Sequence, residues 1–301
     1  MRVGIVGIGN MGFACAQHLR ELGWPLAVRD IDPRRTRDAA AIGATVCATS
    51  SELAARCDCI IICVVDAGQT KAVLFGERGV MASLATGSAV MLCSTMAPDE
   101  TERFTRQLRR RSTDCIDAPM SGGPARARDG TMSLMVACAD AVFERHRALI
   151  EALSSHVFRI SERPGDGART KLVNNLLAGI NLAGACEALA LAERLGLDMV
   201  RTLEAIEQSS GQSWIASDRL RRAIVGDLVP RAHTTMLAKD TRLAIEAARS
   251  VGFDAVFGGA AAALFAHVCE NGYAALDDAS LLAWFRQQVG TGQAGQRGGS
   301  D

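Results

Sequence analysis

The sequence predicts an α/β protein with two domains: a doubly wound, mostly parallel sheet in the first half and an all-helical C-terminal domain. Strand-like apolar runs alternate with helical segments up to residue 161, which is typical of a parallel sheet covered by helices. Beyond that point, helical periodicity continues to about residue 290. We place the domains at residues 1–163 and 164–290. Residues 291–301 lack a hydrophobic pattern and are predicted to be a disordered tail.

The overall composition is that of an ordinary globular protein and restricts the choice of partners. Basic and acidic residues each number 33, so bulk charge indicates neither a nucleic-acid partner nor a membrane surface. The opening residues, MRVGIVGIGNMG, predict neither a secretory signal nor a spanning helix, because glycines break the apolar run. The ten cysteines show no C-x-x-C spacing, so we expect reduced thiols in a cytoplasmic protein and no metal site.

A glycine-rich turn follows the first predicted strand, Val3–Val6, and leads into an amphipathic helix. The pattern is G-x-G-x-x-G in the strand–turn–helix context of a Rossmann domain. The first glycine permits a tight turn, the second lets the backbone approach a pyrophosphate, and the third lets helix and strand pack closely. A purely structural glycine turn is the alternative. The predicted cofactor residues are Gly7, Gly9, Asn10, Met11 and Gly12.

The second strand-like run, PLAVRD, ends at Asp30. A carboxylate at this place accepts hydrogen bonds from the adenosine ribose hydroxyls and repels a 2′-phosphate, which favours NAD over NADP. Arg29, Arg34 and Arg35 are close in sequence and could offset that repulsion. NADP is therefore the less favoured alternative.

The remaining strand-like runs are TVCA, CIIICVV, AVMLCS, DCIDAPM and HVFRIS. Ligands of doubly wound sheets bind beyond the carboxyl ends of the strands, which makes Val65 and Thr95 candidates for the nicotinamide side. Each also fits a capping or turn role. Ser121, Gly122 and Gly123 follow a strand, where consecutive N–H groups and a hydroxyl suit a carboxylate. An ordinary Ser-Gly-Gly hairpin loop is an equal alternative.

The second half predicts helices at residues 168–195, 198–208, 213–225, 233–250, 254–270 and 279–289. The first is too long for one compact domain and is expected to link the two domains and organise the cleft. On it, Lys171, Asn174, Asn175 and Ala178 share one stripe of an otherwise apolar surface. Only three of the 33 basic residues are lysines, and lysine, unlike arginine, can lose its proton when buried. A structural lysine satisfied by the asparagines is the alternative.

Two other positions in the helical half are unusual for their surroundings. Lys239 stands beside Asp240, which by pattern alone indicates a solvated charge pair on a helix. Trp214 follows a Ser-Ser-Gly turn, where its ordinary role is a core anchor at the start of a helix.

Five motifs occur in one order along almost the whole chain: GIVGIGNMG, STMAP, DAPMSGGPARARDGTMSLMVA, GDGARTKLVNNLL and AKD. In order and spacing they resemble the β-hydroxyacid dehydrogenase family, which includes 3-hydroxyisobutyrate, tartronate-semialdehyde and L-threonate dehydrogenases. The stretches VVDAGQTKAVLFGERGV and SSGQSWIASDRLRRAIVGD look most like the L-threonate branch. The pattern SSG-x-x-W is also similar to relatives that act on serine or other β-hydroxy amino acids.

The resemblance implies which residues form the site. It assigns catalysis to Lys171, as the general acid/base, and to Asn175, which would position the substrate oxygen. The residues implied to contact the substrate are Ser121, Gly122, Gly123, Trp214 and Lys239, of which the first three would hold its carboxylate. The resemblance further implies that Thr95 contacts the cofactor and that Lys239, supported by Asp240, lies at its nicotinamide end. Val64 and Val65, which follow a predicted strand, are also expected to bind the cofactor.

The chain also departs from the family. Many members carry Phe and Arg shortly before the AKD-type motif, where this chain has Ala232 and His233, and the usual Leu-Pro after the fourth strand is Val64-Val65. The first departure falls in a loop near the substrate and leaves the identity of the acid open. The lysine at 171 argues against the imine-reducing relatives, which lack it.

The sequence therefore predicts NAD-dependent oxidation of the hydroxyl of a three- or four-carbon hydroxy acid, with a sugar acid such as L-threonate favoured. The hydroxyl proton needs a base, and burial near a second cation such as Lys239 disfavours the ammonium form of Lys171. The resemblance also implies a homodimer or homotetramer. The alternatives are a dehydrogenase of a β-hydroxy amino acid or of 3-hydroxyisobutyrate, a 6-phosphogluconate-type enzyme, for which the chain is too short, and an NAD-binding sensor or scaffold without turnover.

Overall fold

The computed structural model describes residues 1–287, so the predicted tail lies outside the described residues. The strands are β1 Val3–Val6, β2 Leu26–Arg29, β3 Thr45–Val46, β4 Cys59–Ile62, β5 Ala89–Leu92, β6 Asp114–Asp117, β7 Met120–Ser121, β8 Ser133–Ala137 and β9 His156–Ser161. The helices of the first half are α1 Asn10–Glu21, α2 Pro33–Ala41, α3 Ser50–Ala54, α4 Ala67–Phe75, α5 Pro98–Arg109, α6 Gly123–Arg128 and α7 Asp140–Leu153. The later helices are α8 Asp166–Arg194, α9 Met199–Glu207, α10 Trp214–Ile224, α11 Thr234–Ser250, α12 Val256–Val268 and α13 Leu281–Gln287.

The chain divides into two compact units, Met1–Leu172 and the residues from Val173 onward. The division falls inside α8, whose residues therefore belong to both units. The predicted domain boundary at residues 163 and 164 stays a prediction.

Within the described residues of the first unit, nine strands form one sheet in the order β3-β2-β1-β4-β5-β6-β8-β7, with β9 paired to β8. The six strands from β3 to β6 run parallel. Their order turns back at β1, and this is doubly wound topology. Every residue of β1, β4 and β5 is buried, as expected for parallel strands covered on both faces. The predicted mostly parallel sheet is confirmed.

Alternate residues of the central strands face two different cores. On β4, Cys59 and Ile61 pack in the core that includes residues of α1 and α7. Ile60 and Ile62 pack in the core that includes residues of α4 and α5. Because successive side chains of a strand point to opposite faces, the register between strands also decides which side chains meet.

The antiparallel end of the sheet was not predicted. The run DCIDAPM forms two strands, β6 and β7, rather than one, because Pro119 between them lacks the N–H needed to continue a ladder. β7 pairs antiparallel with β8, Met120 opposite Leu134 and Ser121 opposite Ser133. This end of the sheet is therefore mixed, although the doubly wound part is parallel throughout.

The described part of the second unit is helical. The five helices predicted between residues 168 and 270 are confirmed with bounds that differ by no more than two residues at either end. The sixth begins at Leu281, two residues later than predicted, and residues 288–289 of the prediction lie outside the described residues. Side-chain caps explain two sharp starts: Ser213 accepts from the Ala216 N–H at 3.4 Å, and Asp198 accepts from the Arg201 N–H at 2.9 Å.

A buried ionic cluster connects α10 to the chain before α11. Arg219 Nε donates to Asp278 Oδ1 at 2.7 Å, and Arg222 Nη2 donates to Asp277 Oδ1 at 3.1 Å. The other carboxylate oxygen of Asp277 accepts from the Arg231 N–H at 2.8 Å. Burial raises the pKa of Asp278 to about 6, against the opposing effect of Arg219. The cluster fixes the loop that leads into α11, the helix that carries Lys239 and Asp240.

By length and composition alone, α8 is the one described helix that could cross a membrane. Its 29 residues are mostly apolar, but core helices of globular proteins meet the same criterion. The match therefore assigns no membrane to this chain.

The cysteines are free thiols, and eight of the ten are buried. Burial raises the pKa of Cys59 and of Cys115 to about 12. These buried thiols act as small apolar side chains in the sheet cores, as predicted. Among residues 1–287, no group of three or more His, Cys, Asp or Glu side chains is placed to hold a metal ion.

Candidate active site

The turn between β1 and α1 uses its three glycines for different reasons. Gly7 has a φ of +88°, and a Cβ there would lie 2.7 Å from the Cys63 carbonyl oxygen. A Cβ on Gly12 would lie 2.0 Å from the Gly7 carbonyl oxygen, so only glycine lets α1 pass this close to the turn. A Cβ on Gly9 would meet no protein atom within 4 Å. Packing explains Gly7 and Gly12, whereas Gly9 keeps space open for a ligand, as a dinucleotide site requires.

The start of α1 suits an anion. The helix begins at Asn10, and its N-cap residue, Gly9, has no side chain to accept hydrogen bonds from the first turn. The N–H groups of that turn and the helix dipole favour a pyrophosphate. Asn10 is exposed and its Oδ1 accepts from Arg35 Nη2 at 2.9 Å, while Met11 packs on the core of the first unit.

Asp30 follows β2 and lies beside the glycine turn. Its Oδ2 accepts from the Ile8 N–H at 2.7 Å, and its Oδ1 accepts from the Asp32 N–H at 2.9 Å. An ionised carboxylate has about four acceptor positions, so these two bonds leave capacity for ribose hydroxyls. Arg34, of the neighbouring helix, pairs with Asp32 at 3.1 Å. The acidic and basic groups that are predicted to select between NAD and NADP therefore lie close to one another beside the glycine turn.

The carboxyl ends of β4 and β5 lie at the same edge of the sheet as the glycine turn. Val64 and Val65 follow β4, and Val65 is 43% exposed. Half-buried Thr95 follows β5, beside Ser94, whose buried Oγ has no hydrogen-bond partner among the described residues. The predicted nicotinamide-side residues of this unit thus share one edge with the predicted pyrophosphate site.

Ser121, Gly122 and Gly123 form a turn that only glycine can make. Gly122 has a φ of +123° and Gly123 a φ of +76°. Helix α6 begins at Gly123 and separates β7 from β8, so this segment is not an ordinary hairpin loop. The carboxylate-binding role of the three residues stays a prediction.

Asp117, the last residue of β6, holds the start of α8. Its Oδ2 accepts from the Gly165 N–H at 2.7 Å and from the Ala168 N–H at 3.1 Å. A Cβ on Gly167 would lie 2.9 Å from the same carboxylate. Burial raises the pKa of Asp117 to about 6, although the backbone donors favour its charged form. This contact was not predicted from the sequence, where the available signal was an acidic residue at the end of a buried strand.

Lys171 lies in the second turn of the helix that Asp117 holds, and it is 7% exposed. Asn175 follows one turn later and is 9% exposed. The predicted helix is confirmed, and side chains four residues apart on a helix lie on one face. Lys171 and Asn175 are therefore largely withdrawn from water, whereas Asn174 between them is exposed.

Within the second unit, Asp240 contacts both Asn175 and Lys239, two predicted site residues that lie on different helices. Asn175 Nδ2 donates to Asp240 Oδ2 at 2.5 Å, and Lys239 Nζ lies 2.8 Å from Asp240 Oδ1. Asn175 Oδ1 accepts from Asn174 Nδ2 at 3.0 Å, which fixes the orientation of the amide. The Asp240 side chain is 7% exposed and that of Lys239 is 17% exposed, so the interpretation as a solvated charge pair is wrong.

The helices α8 and α11 approach closely at this place because α8 carries Gly179. A Cβ there would lie 2.7 Å from Thr241 Cγ2 of α11. Trp214, by contrast, is 47% exposed at the first position of α10. It is therefore not a core anchor, because about half of its surface is exposed.

Replacing Asp240 by alanine is expected to lower the free energy of unfolding by about 2–3 kcal/mol, because it removes the charged acceptor of a buried amide and the partner of Lys239. Asp240→Asn keeps an acceptor for Asn175 and should cost about half as much. Urea denaturation of the two variants checks this. On the same helix, Glu246→Ala breaks an exposed ion pair with Arg242 and should change stability by about 0.5 kcal/mol or less. Equal losses in Asp240→Ala and Glu246→Ala would contradict the assignment.

The doubly wound sheet and its glycine turn define a dinucleotide-binding Rossmann protein. Residues 2–161 match the NAD binding domain of 6-phosphogluconate dehydrogenase, and residues 165–285 match the NAD-binding domain of NADP-dependent 3-hydroxyisobutyrate dehydrogenase. The L-threonate dehydrogenase of Cupriavidus necator is 33% identical over 283 residues, which are 94% of this chain and 95% of the relative.

Solved structures agree with this. The 3-hydroxyisobutyrate dehydrogenase structure from Salmonella typhimurium has a TM-score of 0.89 and 32% identity, and the match covers 94% of this chain and 99% of that chain. The structure of Psf3 in complex with NADP+ and 2-OPP has a TM-score of 0.88 and 26% identity, with 94% and 99% covered.

The chain belongs to the 3-hydroxyisobutyrate dehydrogenase-like family of β-hydroxyacid dehydrogenases. It is an oxidoreductase that acts on the CH–OH group of a small hydroxy acid with NAD or NADP.

Proposed function

We propose that this chain is an NAD-dependent L-threonate dehydrogenase in which Lys171 is the general acid/base. A bound nicotinamide would supply the acceptor for the hydride of the carbinol carbon. Lys171, as the free amine, accepts the hydroxyl proton, and in the reverse direction its ammonium returns that proton. The observation that carries the proposal is the largely buried Lys171 one helical turn from Asn175, whose amide Asp240 orients.

Asn175 has a donor left for the substrate. Its Nδ2 carries two hydrogens, one of which is committed to Asp240. The other donates to the substrate oxygen, and the bond from Asn174 to Asn175 Oδ1 prevents the amide from turning over. Ser121, Gly122 and Gly123 hold the substrate carboxylate, and the exposed face of Trp214 covers the rest of the acid. Asn175 thus positions the oxygen without competing for the proton.

The substrate is tested by kcat/KM for a panel of acids, followed through NADH absorbance. The panel contains L-threonate, D-threonate, glycerate, 3-hydroxyisobutyrate, L-serine, D-threonine and L-threonine. The expected result is the highest kcat/KM for L-threonate, with D-threonate the matched control for stereochemistry. A higher value for a β-hydroxy amino acid or for 3-hydroxyisobutyrate would replace the substrate but keep the reaction. Absence of turnover on every acid by a protein that binds NADH would favour a sensor or scaffold.

The choice of NAD is proposed from Asp30. Asp30→Asn is expected to change the ratio of kcat/KM for NAD to that for NADP by about tenfold or more towards NADP, because it removes the charge that repels a 2′-phosphate while Arg34 and Arg35 remain. Steady-state kinetics with both cofactors measure the ratio. Asp38→Asn removes an equal charge from an exposed position of α2 and should leave the ratio within about twofold. An unchanged ratio in Asp30→Asn would show that Asp30 does not select the cofactor.

We also propose a homodimer or homotetramer, as the exposed apolar stripe of α8 supports. Val173, Leu177 and Leu191 share this stripe, Leu195 directly follows α8, and all four are 58–70% exposed. Replacing Leu177 by glutamate should lower the mass measured by light scattering to that of a monomer, because a buried charge at an interface is strongly unfavourable. Exposed Val251→Glu, outside α8, is the matched control. A monomeric parent protein would contradict the proposal.

A cytoplasmic location remains a proposal from cysteine usage alone.

A further inference from the structure

Cys63 and Cys93 occupy neighbouring positions at the carboxyl ends of two parallel strands. The paired residues of β4 and β5 end with Ile62 opposite Leu92. Cys63 directly follows β4, and Cys93 directly follows β5. The Cys93 N–H still donates to the Ile62 carbonyl oxygen at 3.0 Å, so the ladder continues to this pair. Adjacent parallel strands are about 4.8 Å apart, and the Cα atoms of a disulfide lie about 4.4–6.8 Å apart. The backbone spacing therefore permits a disulfide between them.

Both thiols face the same core. Cys59 and Ile61 of β4 pack on one face, together with Met91 of β5, and Cys93 belongs to that core, with Cys63 packed against it. The Cys93 thiol interacts with the Cys63 thiol, and this contact, together with burial, raises the pKa of Cys93 well above its ordinary value. Cys93 is 5% exposed, whereas Cys63 is only partly buried. Cys63 is thus the member that a small solute reaches first.

The backbone of Cys63 supports the glycine turn. Its carbonyl oxygen would lie 2.7 Å from a Cβ on Gly7, and its own Cβ would lie 3.3 Å from a Cβ on Gly12. The Cys63 N–H also donates to the carbonyl oxygen of Val6, the residue before Gly7, at 2.8 Å, so a displacement of Cys63 is transmitted to the turn. Closing a disulfide brings the two Cβ atoms to about 3.8 Å, less than the strand spacing, and this draws Cys63 towards Cys93.

We propose that Cys63 and Cys93 form a peroxide-oxidisable dithiol, and that its disulfide form binds the dinucleotide weakly. The Cys63 thiol attacks a hydroperoxide, so that an S–O bond forms and the O–O bond breaks. The leaving oxygen takes the thiol proton and departs as an alcohol, or as water from hydrogen peroxide. The Cys93 sulfur then attacks the sulfenic acid, an S–S bond forms, the S–O bond breaks and water leaves with the thiol proton. Two thiols are oxidised by two electrons and one peroxide is reduced; a dithiol reductant reverses the change.

This inference rests on the dinucleotide site, but not on the substrate or on Lys171. The test treats the full-length protein with hydrogen peroxide and measures the Kd for NADH by fluorescence. Peptide masses identify any disulfide. The expected result is a Cys63–Cys93 cross-link, a Kd at least tenfold higher, and recovery with dithiothreitol. NADH present during oxidation should slow the cross-linking.

Single serine variants separate the thiols, each compared with its own untreated sample. Cys63→Ser should lose the peroxide sensitivity of NADH binding. Cys93→Ser should accumulate a Cys63 sulfenic acid that dimedone traps. Cys186→Ser, in the core of the helical unit, is the matched control and should respond like the parent protein.

A cross-link from Cys63 to Cys15, or equal peroxide sensitivity of NADH binding in Cys63→Ser, would overturn the inference. Failure of the reduced protein to bind NADH would overturn both the inference and the cofactor assignment, whereas absence of turnover with normal NADH binding affects only the proposed function.

Discussion

Lys171→Met is expected to reduce kcat by about 10²–10⁴-fold, the usual contribution of a general acid or base, while the Kd for NADH changes by less than about threefold. Methionine has a similar shape but accepts no proton, so packing around this largely buried position is retained. Lys171→Arg should be equally inactive, because a guanidinium does not lose its proton near neutral pH. Stopped-flow turnover and NADH titration measure the two quantities.

Lys71 is the matched control, because it is one of the other two lysines and lies exposed on α4. Lys71→Met should retain kcat within about twofold. A Lys171→Met protein that keeps more than about a tenth of the parent kcat would exclude Lys171 as the acid/base. Loss of NADH binding in the same protein would instead indicate a structural role for the lysine, the alternative that the sequence left open.

Replacing Asp117 by asparagine is expected to remove a pH-dependent loss of stability. The pKa of Asp117 is raised from 3.8 to about 6 in the folded protein, mainly by burial. Below pH 3.8 both the folded and the unfolded chain hold the proton. Between 3.8 and 6 the unfolded chain releases it and the folded chain keeps it, so stability falls as the pH rises through this window. The loss is about 3 kcal/mol and is complete above the folded pKa.

Urea denaturation at several pH values between 4 and 7 measures this effect as a difference between the parent protein and Asp117→Asn. As the pH rises from 3.8 to 6, the free energy of unfolding of Asp117→Asn should increase relative to that of the parent protein by up to about 3 kcal/mol, because the amide has no charge to bury. Asp278, which titrates near the same pH, is present in both proteins and cancels. Asp129 is exposed, and Asp129→Asn is the control: its difference in unfolding free energy from the parent protein should not change with pH. A flat difference for Asp117→Asn as well would contradict the burial argument.

Asp117→Ala separates the hydrogen bonds from the charge. It leaves the N–H groups of Gly165 and Ala168 without their acceptor at the start of α8. Relative to Asp117→Asn, which also lacks the ionisable group, Asp117→Ala should be less stable by about 2–3 kcal/mol at every pH. Because α8 carries Lys171, kcat should fall in Asp117→Ala more than in Asp117→Asn.

Local patterns in the sequence were sufficient to predict much of the fold. The glycine turn, the buried strands and the helices of the second half are short-range features, set by glycine conformations, apolar runs and helical periodicity. Those patterns placed β1, β4 and β5 and the helices from α8 to α12 within a few residues. The antiparallel pairing of β7 with β8 was missed, because two residues of strand beside a proline carry too little pattern to be recognised.

For the site, residue types in five spaced motifs were enough to name the family and to nominate Lys171 and Asn175. What only the tertiary structure decided is which of these residues support one another. Asp117 reaches the start of α8 from 48 residues away, and Asp240 reaches Asn175 from 65 residues away. Cys63 and Cys93 become neighbours only because β4 and β5 pair in one register. Such contacts depend on how distant elements pack, and a carboxylate or thiol that fills a buried position has no local pattern in the sequence to indicate its partner.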